Sequence, residues 1–401
     1  MTPPRTALVA GGGIAGAATA LALQKAGIEP VVLEARPRRA DGEGAFLTLG
    51  SNGLEALRQL GADGPALDAG FPTPAMTLRS GTGKRLGVVP ASTTRPGGAL
   101  SRTLMRGELA ALLLAEVERR GIRVLYGHRL AGAEQRVERV LARCHGGEEI
   151  AGDLLIGADG VHSAVRRLID PSAPRPCYGG LLNTGGRVRG VRSAAEPGHY
   201  ELIFGRHAFF GHVTAPDGEV WWFANLPWPA EPSAEELRAL RAEDLRDRLL
   251  RTFAGDAGPA TELIAAGGEP MPLSPIHSIP HLPHWQRGRM LVLGDAAHAP
   301  SPSSGQGASL AIEDAVVLAT CLRDGDDVSA AFARFEQIRR PRVERIIRWA
   351  ERVNSSKAAG PVGRVVRDAV LPLALRLSAR SSAHEQTYGH RVEWSAGAGH
   401  A

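Results

Sequence analysis

The chain contains 401 residues, and its 47 Lys and Arg residues against 42 Asp and Glu residues give a formal net charge of +5. Hydrophobic residues make up 43% of the chain and charged residues 22%, values typical of folded globular proteins, which excludes disordered, collagen-like and coiled-coil chains. The length suffices for about two domains. Arginines alternate with Glu and Asp rather than forming runs, so we expect no nucleic-acid partner.

Cysteine usage and the N-terminal sequence indicate the compartment. Cys144, Cys177 and Cys321 are far apart and form no CxxC motif, so neither a disulfide framework nor a metal site is expected. No signal-peptide pattern begins the chain, and no uncharged apolar run reaches the roughly 18 residues that a membrane span needs. We therefore expect a cytoplasmic protein for which membrane association is not favoured.

The first predicted elements form a strand–turn–helix–strand unit. The apolar run 5–10 predicts a buried parallel strand, the turn 11–16 (GGGIAG) leads into a helix over 17–26, and a second buried strand over 30–33 ends at Glu34. In such a turn the first glycine permits the tight bend, the second admits a pyrophosphate and the third lets the helix pack closely. Glu34 can accept hydrogen bonds from ribose hydroxyls, which favours FAD or NAD over NADP as the bound nucleotide.

The rest of the chain alternates between sheet-like and helical patterns. In chain order, we predict short antiparallel strands over 71–101, a helix over 106–120, strands over 123–126, 153–156 and several parts of 174–232, one charged helix over 234–254, a strand over 290–293 and long helices over 307–322 and 329–353. The fold class is α/β. A discontinuous Rossmann-type domain is interleaved with a mainly antiparallel sheet domain and followed by C-terminal helices.

Two further segments place an acidic residue after a buried strand. In 153–167 (DLLIGADGVHSAVRR), Asp159 could serve a nucleotide or only cap the following helix. In 294–315 (GDAAHAPSPSSGQGASLAIEDA), Asp295 could bond ribityl hydroxyls, while the glycines of the GQG triplet leave a helix N-terminus open beside a flat ring. A capped helix is again the alternative.

Together the three segments resemble one family, the single-component FAD-dependent aromatic hydroxylases (group A flavoprotein monooxygenases with the p-hydroxybenzoate hydroxylase fold). The third segment is the most specific, because it reproduces the family spacing GDxxHxxxPxxGQGxxxxxED. The resemblance implies a GR2-like FAD-binding domain over 1–70, 101–173 and 284–355, a substrate-binding sheet domain over 71–100 and 174–283, and a C-terminal helix and tail over 356–401.

The resemblance also implies the FAD contacts. The turn 11–16 and Glu34 hold the ADP half, Asp295 contacts the ribityl-phosphate region and 305–308 lie beside the isoalloxazine ring. The implied set is Gly11, Gly13, Ile14, Ala15, Gly16, Glu34, Ala35, Arg36, Arg106, Leu130, Asp159, Asp295, Gly305, Gly307 and Ala308. Arg102 competes with Arg106 for the family's FAD-contacting arginine, and in the flavin-flanking loop 42–49 Ala45 and Phe46 are candidate ring neighbours.

No second glycine fingerprint is present, so the resemblance implies that NADPH or NADH docks transiently, reduces the flavin and leaves. O2 would then form a flavin C4a-hydroperoxide that hydroxylates a small aromatic or polyketide-like substrate, a chemistry suited to secondary metabolism. The flavin carries the reaction, and we name no catalytic residue. An epoxidase or Baeyer-Villiger monooxygenase, a flavin-dependent halogenase and a reductase-type flavoprotein remain alternatives, although the WxWxIP signature of halogenases is absent.

The substrate contacts are less clearly marked in the sequence. We predict Phe209, Trp221 and Pro302 as contacts, although ordinary core packing explains the aromatic residues equally well, since strand alternation sends about half of them to the other face. Arg206, His207 and His212 are candidate bases, but a lone histidine on a strand is more often structural.

The C-terminal region and the oligomeric state complete these expectations. Apolar residues at 362, 365, 366, 369, 370, 373 and 377 share one helix face, which we expect to dock on the core rather than on a membrane. A monomer or a homodimer is expected.

Overall fold

The structure is a computed structural model that describes residues 4–39, 44–191, 195–357, 360–378 and 383–394. The strands are β1 (Thr6–Ala10), β2 (Glu29–Glu34), β3 (Phe46–Leu49), β4 (Phe71–Pro72), β5 (Ala75–Ser80), β6 (Arg85–Pro90), β7 (Arg102–Met105), β8 (Arg123–Tyr126), β9 (Leu130–Gln135), β10 (Val140–Cys144), β11 (Glu149–Gly152), β12 (Leu154–Gly157), β13 (Cys177–Val188), β14 (Tyr200–Phe204), β15 (Phe209–Thr214), β16 (Val220–Pro227), β17 (Ser274–Ser278), β18 (Gln286–Arg287) and β19 (Met290–Val292).

The helices are α1 (Ile14–Lys25), α2 (Ser51–Gln59), α3 (Gly64–Ala69), α4 (Arg106–Arg119), α5 (Ala164–Ile169), α6 (Ala234–Ala239), α7 (Ala242–Phe253), α8 (Ala260–Ala266), α9 (Asp295–His298), α10 (Gly307–Asp324), α11 (Val328–Lys357), α12 (Pro361–Ser378) and α13 (Ala383–Tyr388). A 3-10 turn spans Pro302–Ser304. In the part of the chain described, none of the helices has both the length and the apolar character of a membrane-crossing helix.

A six-stranded sheet of order β18-β19-β12-β1-β2-β8 forms the centre of the nucleotide-binding part. Its strands pair in parallel except β18, which pairs antiparallel with β19. The helix α1 packs against α4 and α10. Its small and aliphatic residues are buried on nearly every side, which explains why its sequence shows no polar face.

A seven-stranded sheet of order β17-β13-β16-β15-β14-β5-β6 lies in the other half of the fold. It is antiparallel except for the parallel pair β14–β5. One face packs against α7 and α8 in a core that contains Phe210, Trp222 and Phe253. The opposite face carries Tyr200, Trp221 and other aromatic residues.

Several local predictions were wrong in detail. The helix expected over 234–254 is two helices, because the backbone is extended at Leu240 and Arg241. The break separates α6, in which no residue is fully buried, from α7, whose Leu245, Leu249 and Phe253 pack under the sheet. Sequence analysis also missed the antiparallel sheet of β9, β10 and β11, and it did not predict that β4 would pair with β7 in a small sheet with β3.

A buried ionic cluster joins α10 to α11. Arg339 donates to Glu313 Oε2 at 2.7 Å and to Asp314 Oδ1 at 2.6 Å, while Arg342 donates to both oxygens of Glu313 at 2.8 Å. Burial alone would raise the pKa of Glu313, but the two guanidinium groups outweigh it and hold that pKa at about 2. Two carboxylates thus face two guanidinium groups, which offsets the cost of removing the charges from water.

The same cluster contacts three other parts of the chain. The second oxygen of Asp314 accepts from the Gly294 amide at 2.9 Å and contacts His298 Nε2 at 2.5 Å. Asn52 of α2 donates to Glu313 at 2.7 Å and to Gln306, the N-cap of α10, at 3.0 Å. The orientation of α10 is therefore fixed from α2, α9 and α11 at once.

We predict that Arg339→Met lowers the free energy of unfolding by about 3 to 5 kcal/mol, because it leaves buried carboxylate charge without a partner. Urea unfolding followed by circular dichroism measures the change. The matched control is Arg348→Met on the same helix, since the Arg348 side chain is 61% exposed and lies 3.7 Å from Glu344. The control should change stability by less than about 1 kcal/mol. Equal unfolding midpoints for the two variants would contradict the assigned role.

The helix α12 differs from expectation in its orientation. Of the apolar face expected to dock on the core, Val362, Val365, Val366, Val370 and Leu373 are all exposed. Leu371 and Leu375 pack instead against an aromatic cluster of the large sheet. The arginines of α12 bond backbone carbonyl oxygens at the end of β14 and on the turn after it, Arg367 to Phe204 and Arg364 to Arg206, so the charged stripe turns inward. Leu377 lies outside the part of the chain whose side chains are described.

Candidate active site

The three sequence motifs meet at the carboxyl edge of the parallel sheet. Gly11 follows β1 with φ +101°, and a Cβ atom there would lie 2.6 Å from the carbonyl oxygen of Ala158, which follows β12. A Cβ on Gly294, after β19, would lie 3.2 Å from the Cβ atoms of Ala15 and Ala311. The turns after β1, β12 and β19 are thus in direct contact, where ligands of parallel sheets bind.

The N-terminus of α1 is built to face an anion. A Cβ on Gly16 would lie 1.8 Å from the Gly11 carbonyl oxygen, so only glycine allows this helix to press on the turn. The N-cap is Gly13, which has no side chain to cap the helix, and the first turn carries no acidic residue. A Cβ atom placed on Gly13 would have no other described part of the chain within 4 Å. Free amides and a positive helix end therefore face open space, which suits a diphosphate. Ile14 and Ala15 form the first turn beside it.

Glu34 lines the cleft beside that turn and accepts hydrogen bonds from the backbone on two sides of it. Its Oε2 accepts from the Gly12 amide at 2.7 Å, and its Oε1 accepts from the Arg36 amide at 2.8 Å. The cleft is lined by Gly12, Glu34, Arg36, Arg38, Arg39, Ala110, Ala111 and Leu114. Each Glu34 oxygen has a remaining lone pair for a ribose hydroxyl.

Ala35 and Leu130 flank this cleft differently. Ala35 is half-buried beside Glu34, whereas Leu130 is a buried core residue at the start of β9. Two residues before Leu130, the His128 amide donates to the Glu34 carbonyl oxygen at 2.9 Å. Leu130 therefore follows the segment that bonds Glu34 but keeps its side chain in the core, and its contact with FAD stays a prediction.

Asp159 caps α5. The hydroxyl of Ser163 donates to its Oδ1 at 2.5 Å, and the Ala164 amide donates to its Oδ2 at 2.6 Å. Burial raises the pKa of Asp159, and these hydrogen bonds oppose the rise. The capping alternative is therefore present in the structure, and the role of Asp159 toward the nucleotides stays a prediction.

Asp295 lies beside the N-terminus of α10. Its Oδ1 is 3.7 Å from a Cβ position on Gly307. Burial raises its pKa, and the positive charge of Arg106 acts against the rise. Arg102, the competing arginine, donates instead to the Gly70 carbonyl oxygen at 3.2 Å. The electrostatics therefore favour Arg106 as the arginine that faces this site.

The N-terminus of α10 resembles that of α1. Its N-cap Gln306 makes no side-chain capping bond, and its first turn carries no acidic residue. Gly305 and Pro302 are exposed on the turn before it, and Ala308 is half-buried in its first turn. The positive end of an 18-residue helix is thus available to negative charge on a ligand.

An aromatic cluster surrounds β3, the strand that ends just before Gly50, and the Gly50 amide donates to Ser309 Oγ in the first turn of α10 at 3.0 Å. Phe46 lies with its ring centroid 5.6 Å from that of Trp221, 5.9 Å from Phe223 and 6.2 Å from Tyr200. Phe71 meets Trp221 edge to face at 5.3 Å. The predicted ring neighbour Phe46 and the predicted substrate contact Trp221 are therefore brought together. Such a cluster suits a planar aromatic ligand.

Tyr200 supplies a polar group in this cluster that sequence analysis missed. Thr48 donates to its hydroxyl oxygen at 3.1 Å, and the Thr103 hydroxyl lies 3.3 Å from it. Burial raises the pKa of Tyr200 to about 12, so the phenol stays protonated near neutral pH. The sequence signal was strand register, because Tyr200 pairs with Val213, which pairs with Trp221 on the same face.

Two other residues predicted for the substrate side, Phe209 and His212, lie outside the cluster around Phe46. Phe209 is only 2% exposed and packs against Phe204 under α12, one cluster away from Phe46. Phe223 lies between the two clusters, 5.9 Å from Phe46 and 6.0 Å from Phe209, and the role of Phe209 as a substrate contact stays a prediction. His212 points to the opposite face of the sheet with Phe210, which removes it as a base.

Arg206 and His207 lie on an exposed turn between β14 and β15, so neither reaches the cluster. No group of three or more His, Cys, Asp or Glu residues that could hold a metal ion occurs in the described ranges.

Comparison with known proteins agrees with this geometry. A family model described as an FAD binding domain matches residues 5–350. The chain is 32% identical over 350 residues to the aurachin C monooxygenase/isomerase of Stigmatella aurantiaca, covering 87% of this chain and 88% of the relative. It is 33% identical over 393 residues to the 2-heptyl-3-hydroxy-4(1H)-quinolone synthase of Mycobacteroides abscessus, covering 94% and 96%.

A solved structure of Klebsiella pneumoniae HpxO complexed with FAD and uric acid superimposes with a TM-score of 0.80 at 28% identity, over 93% of this chain and 94% of that one. The fold and the site thus define an FAD-binding oxidoreductase. The chain belongs to the family of FAD-dependent aromatic hydroxylases, a class of flavoprotein monooxygenases. The predicted family, α/β fold class and FAD cofactor are confirmed.

We predict that Gly13→Ala abolishes most flavin binding while the protein still folds, because the new methyl group would occupy the space in which the helix amides meet the diphosphate. Flavin absorbance per protein should fall about tenfold or more. The matched control is Gly132→Ala in β9, where no described atom lies within 4 Å of the added carbon either. Wild-type flavin content in the Gly13 variant would contradict the proposed diphosphate site.

Proposed function

We propose that this protein uses NADPH or NADH and O2 to hydroxylate a small aromatic or polyketide-like substrate, and that an aromatic ring containing nitrogen is the preferred class. The observation that carries the proposal is the cluster of Tyr200, Trp221 and Phe223 around Phe46. Phe46 lies on β3, which ends just before Gly50, and the Gly50 amide donates to Ser309 Oγ in the first turn of α10 at 3.0 Å. The quinolone synthase and the uric acid complex among the relatives support a nitrogen heterocycle. FAD supplies the redox and oxygen-activating chemistry when bound.

In this proposal the chain's own residues bind and orient the flavin and the substrate, and they exclude water. The positive end of α10 can stabilise the negative charge of a reduced flavin ring, and Gly305, Gly307 and Ala308 leave room for that ring. The aromatic cluster excludes water from the reacting region. Pro302, exposed on the preceding turn, remains a proposed substrate neighbour.

Tyr200 has a positioning role in this proposal. With its pKa raised to about 12 by burial, it does not act as a base near neutral pH. Its hydroxyl can donate one hydrogen bond to a carbonyl or hydroxyl oxygen of the substrate, while Thr48 donates to it. No protein base is required when the substrate ring is already electron-rich.

The decisive experiment is to screen phenols and nitrogen heterocycles for stimulated NADPH and NADH oxidation, and to analyse the products formed under labelled O2. We expect one labelled oxygen atom in the product. Labelled epoxide or ester products would indicate epoxidation or Baeyer-Villiger oxidation instead. Stimulated oxidation of the nicotinamide without labelled product, for every substrate tested, would support a reductase-type flavoprotein and contradict the proposal.

We predict that Tyr200→Phe raises the KM for the best substrate about five- to thirtyfold, the effect of losing one buried hydrogen bond, and leaves flavin content unchanged. The matched control is Tyr178→Phe, because the Tyr178 hydroxyl donates to the Trp228 carbonyl oxygen at 2.8 Å in a different cluster. The control should leave KM within about twofold. Equal KM values for both variants would refute the positioning role.

A further inference from the structure

The helix α12 has its polar and apolar faces inverted relative to an ordinary surface helix. Within the described side chains 362–375, every exposed residue is apolar or glycine, and the charged residues Arg364, Arg367 and Asp368 are half-buried toward the protein. The exposed fractions of the large apolar residues are 78% for Val362, 71% for Val365, 55% for Val366, 55% for Val370 and 60% for Leu373. Surface helices normally bury such a stripe. A contiguous apolar face of this kind marks a binding surface.

The inner face holds this orientation through specific contacts. The Arg367 guanidinium lies 4.7 Å from the centroid of the Phe204 ring, and Arg364 donates to the Arg206 carbonyl oxygen. Lys84 donates to the Asp368 carbonyl oxygen at 3.1 Å. These bonds use the polar face, so the helix cannot turn its valines inward without breaking them.

The rim of the apolar face is basic. Lys84 and Arg85 are exposed at the start of the edge strand β6, and Arg206 is exposed on the turn between β14 and β15. These residues lie close to α12, as the bonds of Lys84 and Arg364 show. Val88 on the adjoining strand is 43% exposed and lies next to this rim. The surface thus combines an apolar centre with a predominantly positive edge, the pattern of helices that lie in the surface of an anionic membrane.

We propose that α12 is an interfacial helix that binds the surface of an anionic phospholipid bilayer. The outer valines and Leu373 enter the boundary between head groups and acyl chains, and the basic rim contacts the phosphates. The helix lies on the bilayer, since none of the described helices is long and apolar enough to cross one. A second copy is disfavoured as the occupant, because a two-fold axis would bring two basic rims together.

The location of α12 connects this surface to the candidate active site. Leu371 and Leu375 pack on the cluster that contains Phe209, and Phe209 lies 6.0 Å from Phe223 of the aromatic cluster. If the proposed function holds, an apolar aromatic substrate dissolved in the bilayer would reach the cluster over a short path. Membrane binding itself does not depend on that function.

The test is co-sedimentation of the flavin-loaded protein with vesicles of phosphatidylcholine alone and of phosphatidylcholine mixed with phosphatidylglycerol. We expect the wild type to sediment with the anionic vesicles in a salt-sensitive manner. The double variant Val366→Glu and Val370→Glu should bind at least about tenfold more weakly, because two apolar side chains lose their burial in lipid. The matched control, Val137→Glu, changes a valine that is 90% exposed after β9, and it should bind as the wild type does.

Flavin content and unfolding midpoint should be the same in all three proteins, which separates membrane binding from folding. The proposal is overturned if the wild type stays in solution with anionic vesicles, or if the double variant sediments as the wild type does. It is also overturned if gel filtration shows a wild-type dimer that the double variant loses, because a second copy then covers the face. Failure to find a hydroxylated product would leave the vesicle result unaffected.

Discussion

The buried cluster of Glu313, Asp314, Arg339 and Arg342 is the interaction on which the rest of the site depends. It fixes α10, whose N-terminus faces the proposed flavin ring, against α11 and against the turn that carries Asp295. A helix dipole stabilises charge only if the helix end stays at a constant distance from the ligand. The family motif ends in the ED pair for a mechanical reason, since these carboxylates lie one to two turns beyond the N-terminus that they hold in place.

The second constraint is the alternation of side chains along the large sheet. The same strands send Phe210, His212 and Trp222 to a core beneath α7 and α8, and Trp221 and Phe223 to the opposite face, where they pack with Phe46. One sheet therefore stabilises the fold with one face and forms the candidate substrate site with the other. Tyr200 also has two roles, because its ring packs in the aromatic cluster while its hydroxyl forms hydrogen bonds with threonine side chains.

Much of the nucleotide site could be predicted from the sequence because glycine spacing and strand-ending carboxylates reflect local geometry. Gly16 illustrates this, since its contact with the Gly11 carbonyl oxygen depends on residues five positions apart. The substrate side could not be predicted in the same way. Whether Phe209 or Phe223 neighbours Phe46 depends on strand register and on the helix α12, which follows more than a hundred residues later in the sequence. The apolar stripe of α12 could be recognised in the sequence. Which way the stripe faces could not, because hydrogen bonds from arginines of α12 to backbone carbonyl groups determine it.

One bond of the ionic cluster extends its influence to the end of the chain. Arg342, which holds Glu313, also donates to the carbonyl oxygens of Gln386 at 2.5 Å and Thr387 at 3.1 Å. Glu385, on the same short helix, accepts from the Thr94 amide at 2.6 Å and the Thr93 hydroxyl at 2.9 Å. The C-terminal segment thus joins α11 to the loop between β6 and β7. A cut or a bulky tag placed before this segment would release Arg342 and would also remove Tyr388 from its contact with Gln306, the N-cap of the helix that faces the proposed flavin ring.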